Sequence, residues 1–238
     1  MFVTLQPKTI PYRMKKLLLL VLCCISIVGM AQNDVTKFLG IPVDGNKSDM
    51  ISKLKSKGFK QSPNAEDVLI GEFNGMDVNV HIITNNNKVC RIMVCDENTM
   101  DEVSIKIRFN RLCDQFENNS KYVNLLDEDQ KIKEHEDILH EMLVNKKRYE
   151  AVFYQLPDTT AASYTEDFQS MIFSKYSNEQ MENPSDKITQ DIIEMATMYA
   201  LDKATKKTVW FMISERYGEY YITMYYDNEY NRANGEDL

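Results

Sequence analysis

Residues Val68 to Cys95 read VLIGEFNGMDVNVHIITNNNKVCRIMVC, and this stretch decides the fold class. Asn74-Gly75 separates two strand-like runs, Val68 to Phe73 and Met76 to Ile83. Both residues of such a pair accept positive φ, which a two-residue hairpin turn requires. In the second run Met76, Val78, Val80 and Ile82 alternate with Asp77, Asn79 and His81. Alternation of this kind predicts a sheet with one packed face and one wet face. Asn85-Asn86-Asn87 predicts a second turn, and Val89 to Cys95 the third strand of a meander.

Working outward, Ser48 to Lys57 predicts a short helix with Met50, Ile51 and Leu54 on one face, Asn46 or Ser48 as its cap and Gly58 as its stop. Asp101 to Asn118 predicts an amphipathic helix opened by a Thr99–Glu102 capping box. Its packing face is read as Val103, Ile107, Leu112 and Phe116, widened by Ile105 and Phe109. Tyr122 to Glu136 is charge-rich and gives no clear pattern. Ile138 to Val144 and Tyr149 to Leu156 are read as a hairpin turning at Asn145 to Lys147, with a helix through Ile132, Leu139 and Leu143 as the competing reading. Pro157 to Glu166 is expected to be a loop and Phe168 to Tyr176 a further strand. Ile188, Ile192, Met195 and Tyr199 mark a helical stripe within Pro184 to Lys203. Thr208 to Glu215 and Glu219 to Tyr226 form a last hairpin about Tyr217-Gly218, and the polar tail from Asp227 ends the fold. The class is α+β: antiparallel meanders and hairpins packed by two or three helices.

The first 31 residues are set apart from this pattern. Lys15 and Lys16 precede an apolar run from Leu17 to Val28, followed by Gly29, Met30 and Ala31. A basic start, a short apolar core and a small-x-small ending predict a signal peptide, with Met14 as its start and Gln32 as the first mature residue. A dozen apolar residues are too few for a stable span, which needs about 20. The expected location is therefore the periplasm or the medium. The remainder divides into 32–120, a helix, a three-stranded meander and a helix, and 121–238, a second α+β half. One continuous sheet through both is equally consistent. Without Lys8, Arg13, Lys15 and Lys16 the net charge of −8 becomes about −12. Such a chain repels phosphate backbones and anionic lipid, which argues against nucleic acid as a partner.

Candidate chemistry is sparse. His135 and His140 are five residues apart, so neither a helix nor a strand aims both at one metal. Asp44 to Asp49 starts like a calcium loop but has Lys55 where a bidentate glutamate belongs, so a turn and helix cap is the better reading. The acidic cluster at Asp127, Glu128 and Asp129 is read as a solvated loop. Cys90, Cys95 and Cys113 remain in the mature chain and are read as thiols, with a bridge from Cys113 left open. No metal, cofactor or catalytic constellation is expected.

The tyrosines of the last hairpin carry the site expectation. Tyr220, Ile222, Met224 and Tyr226 are read as its core face. Tyr221 and Tyr225 then fall on the wet face, either as cross-strand pairs or as a stacking surface for a protein, peptide or glycan. The function this favours is a non-enzymatic binding or interaction module. A cell-envelope hydrolase using paired carboxylates, or a secreted enzyme inhibitor, is the alternative.

The leader ending Gly29 to Gln32 resembles those of exported Bacteroidetes proteins. The segments Phe38 to Gly45, Arg148 to Gln155 and Asn234 to Leu238 resemble small uncharacterised secreted proteins of that group. This resemblance implies export and brings no activity. The helix-then-meander order is similar, in topology alone, to envelope modules of the outer-membrane-assembly lipoprotein and β-lactamase-inhibitor type.

Overall fold

The computed structural model describes residues 34–126, 129–233 and 235. The expected signal peptide and most of the segment from 234 onward lie outside them. Contacts group the chain into two compact units. The larger holds Asp34–Pro157 and 197–233, and the smaller holds Asp158–Ala196.

The larger unit is built on one antiparallel sheet. Its strands are β3 (Lys60–Gln61), β4 (Val68–Phe73), β5 (Met76–Asn85), β6 (Lys88–Asp96), β7 (Tyr122–Val123), β8 (Glu150–Gln155), β9 (Thr208–Arg216) and β10 (Glu219–Asp227). Their order in space is β3-β4-β5-β6-β10-β9-β8-β7. A two-stranded ribbon of β1 (Lys37–Phe38) and β2 (Ile41–Pro42) precedes it. The hairpins expected at Asn74-Gly75, at Asn85 to Asn87 and at Tyr217-Gly218 form where the turn chemistry placed them. Asn74 and Gly75 take φ of 54° and 74°, and Asn86 and Asn87 take 48° and 61°. At Gly71 an added Cβ would lie 2.7 Å from the Phe59 ring, so that ring packs against bare backbone.

Sheet continuity comes from β6 pairing with β10, Cys95 opposite Thr223 and Arg91 opposite Asp227. One face carries the core. Val78, Val80, Ile92, Val94, Phe153, Phe211, Ile213 and Ile222 are buried there. Helix α1 (Lys47–Ser56) adds Met50 and Leu54, and its N-cap is Asn46, whose side chain accepts from the Asp49 N–H. Helix α2 (Glu102–Glu117) adds Ile105, Phe109, Leu112, Cys113 and Phe116. Phe116, Phe153 and Phe211 stack within this core, with ring centroids 4.8 to 6.2 Å apart.

Several expectations are corrected. Val103 and Ile107 are exposed, because at about 100° per residue they lie on the side of α2 opposite Ile105 and Phe109. The cap of α2 is Asp101, whose carboxylate accepts from the Ser104 N–H, while Thr99 donates to Glu219 instead. Ile138 to Leu143 is a helix, α3, not a strand. Asp137 caps it and buries Ile138 alone as its anchor. Glu150–Gln155 is a strand as expected, but it pairs with β9 and β7. Phe168 to Tyr176 is no strand. Helix α4 (Ala162–Lys175) covers most of it and also begins inside the expected loop. A capping box of Ser177 and Gln180 opens α5 (Asn178–Glu182), and α6 (Asp186–Thr205) follows, as its apolar stripe predicted. In the smaller unit Ile172, Met181 and Ile192 form a small core. Among the described residues no helix is long and apolar enough to cross a membrane.

Two buried carboxylates pin the β6–β10 seam from opposite ends. On the helix side Asp96 takes both donors of Arg108, at 2.7 and 2.6 Å, and the Ile222 N–H at 3.1 Å. Removing one member of a buried pair strands the other charge out of water. Arg108→Ala is expected to cost about 3–5 kcal/mol of stability. A loss below about 1 kcal/mol in urea unfolding would show that water reaches Asp96 and that the pair is not structural.

Candidate functional site

The face opposite the helices is the one that alternation reserved for Tyr221 and Tyr225. Residues directly opposite across an antiparallel pair point to the same side. Register therefore sets Val68, His81, Met93, Tyr225, Trp210 and Val152 in one transverse row. A second row runs Ile70, Asn79, Cys95, Thr223, Met212 and Glu150. Apart from buried Thr223 and exposed Glu150, these side chains are half-buried.

At the centre of the first row a stacked aromatic pair sits beside a guanidinium. Trp210 and Tyr225 stack with centroids 4.0 Å apart and planes 16° from parallel. The Arg91 guanidinium lies 4.9 Å from the Tyr225 centroid and 5.7 Å from that of Trp210. Asp227 holds both flanks. It accepts from Arg91 Nη2 at 2.8 Å, from Arg91 Nε, and from Trp210 Nε1 at 2.9 Å. Hydrogen bonding to Asp227 raises the Arg91 pKa further above its ordinary value, so the cation is permanent. The stack is fixed before any partner arrives, because neither flanking group can rotate without leaving the carboxylate.

Tyr221 stands apart from that stack, facing Ser214 across the strand pair, with the Arg216 guanidinium 5.5 Å from its ring. Both line a cleft of about 480 Å³ between the sheet and the loop at Ser62 to Ala65. Asn79, His81 and Cys95 contribute to the same walls. Burial, with a smaller push from Lys47, lowers the His81 pKa below its usual value, so the ring is neutral at pH 7. Burial raises the Cys95 pKa, which keeps that thiol protonated and a poor nucleophile. Of the two carboxylates on the cleft wall, Asp96 is committed to Arg108, leaving Glu97. That falls short of the acid pair a glycosidase needs.

Other candidate residues do not assemble into a site. His135 and His140 are exposed, the first in a loop and the second on α3. Asp44 accepts from the Gly45 N–H and the Asn231 side chain, serving as a turn anchor, and Asn46 is the helix cap. Asp127 and Glu128 lie outside the described residues. Cys90, Cys95 and Cys113 are free thiols, and burial pushes Cys113 up to about 12. Among the described residues no group of three or more histidine, cysteine or carboxylate side chains comes together to hold a metal. Sequence reading missed Trp210 and Arg91. Trp210 shares the parity of the outward residues of β9, a signal that was present but not used. Comparison with protein-family models, curated proteins and solved structures finds no match.

The neutral state of His81 has a consequence for stability. Its folded pKa lies below the unfolded value of about 6.5, so the unfolded chain takes up the proton first as pH falls. The contribution is full above that value and is lost as pH falls from it through the lower folded pKa. In His81→Gln the urea midpoint is expected to change less between pH 7.5 and 5.5 than in the parent. Equal slopes in the two proteins would refute the assignment.

Proposed function

We propose that this chain is an exported, non-enzymatic binding module that engages a protein, peptide or glycan through the sheet face bearing Tyr221, Tyr225 and Trp210. The observation that carries this reading is the Trp210–Tyr225 stack with the Arg91 guanidinium beside it, Trp210 and Arg91 both held by one carboxylate. Rigid aromatic groups lose little entropy on binding, and fixing them in advance removes part of the cost of association. The adjacent cleft adds the Tyr221 ring and the guanidinium of Arg216, which has no ion-pair partner among the described residues. Neutral His81 and protonated Cys95 suit recognition better than nucleophilic catalysis. The hydrolase alternative lacks support from the cleft, where Asp96 is already neutralised.

Export rests on the leader and on the resemblance to secreted Bacteroidetes proteins. The reading is compatible with a chain beginning at Gln32, since Asp34, two residues on, makes a 2.8 Å ion pair with buried Lys207.

The chain has a single tryptophan, and it lies in the stack, so its fluorescence reports on this face. Titration against arrays of soluble envelope glycans and peptides is expected to give a partner that shifts that emission. Tyr221→Ala and Tyr225→Ala should each weaken the partner at least about tenfold, as central aromatic contacts do, with circular dichroism unchanged. A partner that binds both variants as tightly as the parent would refute the assignment to this face. Turnover of an envelope substrate that Glu97→Gln abolishes would instead establish the hydrolase.

A further inference from the structure

On the face of the sheet away from the helices, register gathers three soft donors on β5 and β6. His81 stands directly opposite Met93, and Asn79 directly opposite Cys95. Met93 and Cys95 are two residues apart on β6, so all three side chains leave the same face. Directly opposed Cβ atoms lie about 4.5–5.5 Å apart, and diagonal pairs about 7–8 Å. Imidazole and thioether carry their donor atoms well beyond Cβ, so the three can close on one point between the strands. His81 and Cys95 both line the cleft of about 480 Å³, which opens that point to solvent.

The donors are in the form a metal needs. The His81 ring is half-buried, yet neither of its nitrogens hydrogen-bonds to another described residue. No fully buried side-chain nitrogen among them lacks a partner, so the ring nitrogens reach the open cleft. The ring is neutral at pH 7, which leaves a lone pair to give. The Cys95 thiol bonds the hydroxyl of Thr223, its neighbour across the seam. A hydroxyl donates to a thiolate as well as it accepts from a thiol, so this contact survives loss of the proton.

The donor set selects the metal. Calcium and magnesium take oxygen ligands, and zinc takes three or four from histidine, cysteine and carboxylate. No three of those residue types meet among the described residues. In the two transverse rows that hold the donors the carboxylate is Glu150, at the far end on β8 and paired with Arg148. The third donor is instead the thioether of Met93. Thiolate with thioether is the soft combination that favours Cu(I).

We propose that His81, Met93 and Cys95 bind one Cu(I) ion through an imidazole nitrogen, the thioether Sδ and the thiolate Sγ. Binding exchanges the Cys95 thiol proton for the metal, so one proton leaves with no change of oxidation state. None of the three donors belongs to the Trp210–Tyr225 pair, so either assignment can fail without the other.

The test titrates the purified chain, reduced and free of oxygen, with the Cu(I) complex of bicinchoninate. The chain is expected to withdraw one Cu(I) and release one proton, and X-ray absorption at copper should show two sulfurs and one nitrogen. Cys90→Ser, outside the three donors, should bind as the parent does. Cys95→Ser should weaken binding at least about a hundredfold, and His81→Gln and Met93→Leu each about tenfold or more, with circular dichroism unchanged. Failure to withdraw Cu(I) from bicinchoninate overturns the proposal. So does undiminished affinity in His81→Gln and Met93→Leu, which would mean a metal held by a thiol alone, or in Cys95→Ser, which would place it elsewhere. Tighter binding of Zn(II) than of Cu(I) overturns it as well.

Discussion

The pairing of β6 with β10 is the constraint on which the rest of the sheet depends. It joins residues up to 136 positions apart, Arg91 with Asp227, and merges two sets of local hairpins into one sheet. Each end of the seam carries a buried carboxylate, and the two lie on opposite faces. Asp96 draws α2 onto the helix side through Arg108, and Asp227 fixes Arg91 and Trp210 on the other side. An unpaired carboxylate at either place would be expensive, so the wrong register is penalised on both faces at once. That penalty specifies one alignment where the apolar alternation alone would accept slips of two residues.

A second device recurs at the margins. Side-chain amides pair with both backbone groups of a single residue, doing the work of a neighbouring strand. Gln155 accepts from the Lys37 N–H at 2.8 Å and donates to its carbonyl at 2.7 Å. Asn110 treats Ile132 the same way, with both distances 2.8 Å. Gln130 accepts from the Val152 N–H at 2.6 Å and donates to its carbonyl at 3.3 Å. The last of these occupies the outer edge of β8 just beyond the two residues that β7 covers. An edge already satisfied in this way is a poor template for strand addition.

What was legible in the sequence was local. Asn74-Gly75 and Asn85 to Asn87 announced their turns because few residues other than glycine and asparagine adopt positive φ readily. The alternation in β5 and β10 sorted their side chains correctly between the two faces. What failed was in part a misread local phase and in part pairing between distant segments. Ile138 to Val144 has the length and apolarity of a strand, and only the Asp137 cap and the single buried contact of Ile138 make it a helix. Val103 and Ile107 were assigned to the core because they are apolar, although the phase of Ile105, Phe109, Leu112 and Phe116 opposed it. The amide pairings have no periodic signature, so Tyr122 to Glu136 gave no pattern. At the candidate site, parity placed Tyr221 and Tyr225. The role of Asp227 required knowing that β6 would lie beside it.

Charge is distributed differently over the two faces of β10. Across the row centred on Tyr225, Arg91 is neutralised by Asp227 and His81 is uncharged at pH 7. An approaching molecule therefore meets ring edges and the thioether of Met93 on an otherwise acidic chain. Such a surface offers shape and stacking, with Arg216 at one end donating to the Glu97 carbonyl and in no ion pair among the described residues. On the helix side Phe73, Phe116, Tyr122 and Tyr226 line an open concavity. One strand thus sends Tyr225 toward a neutral, preorganised platform and Tyr226 toward an aromatic concavity on the helix side. The step of one residue in a pleated strand separates the two chemistries.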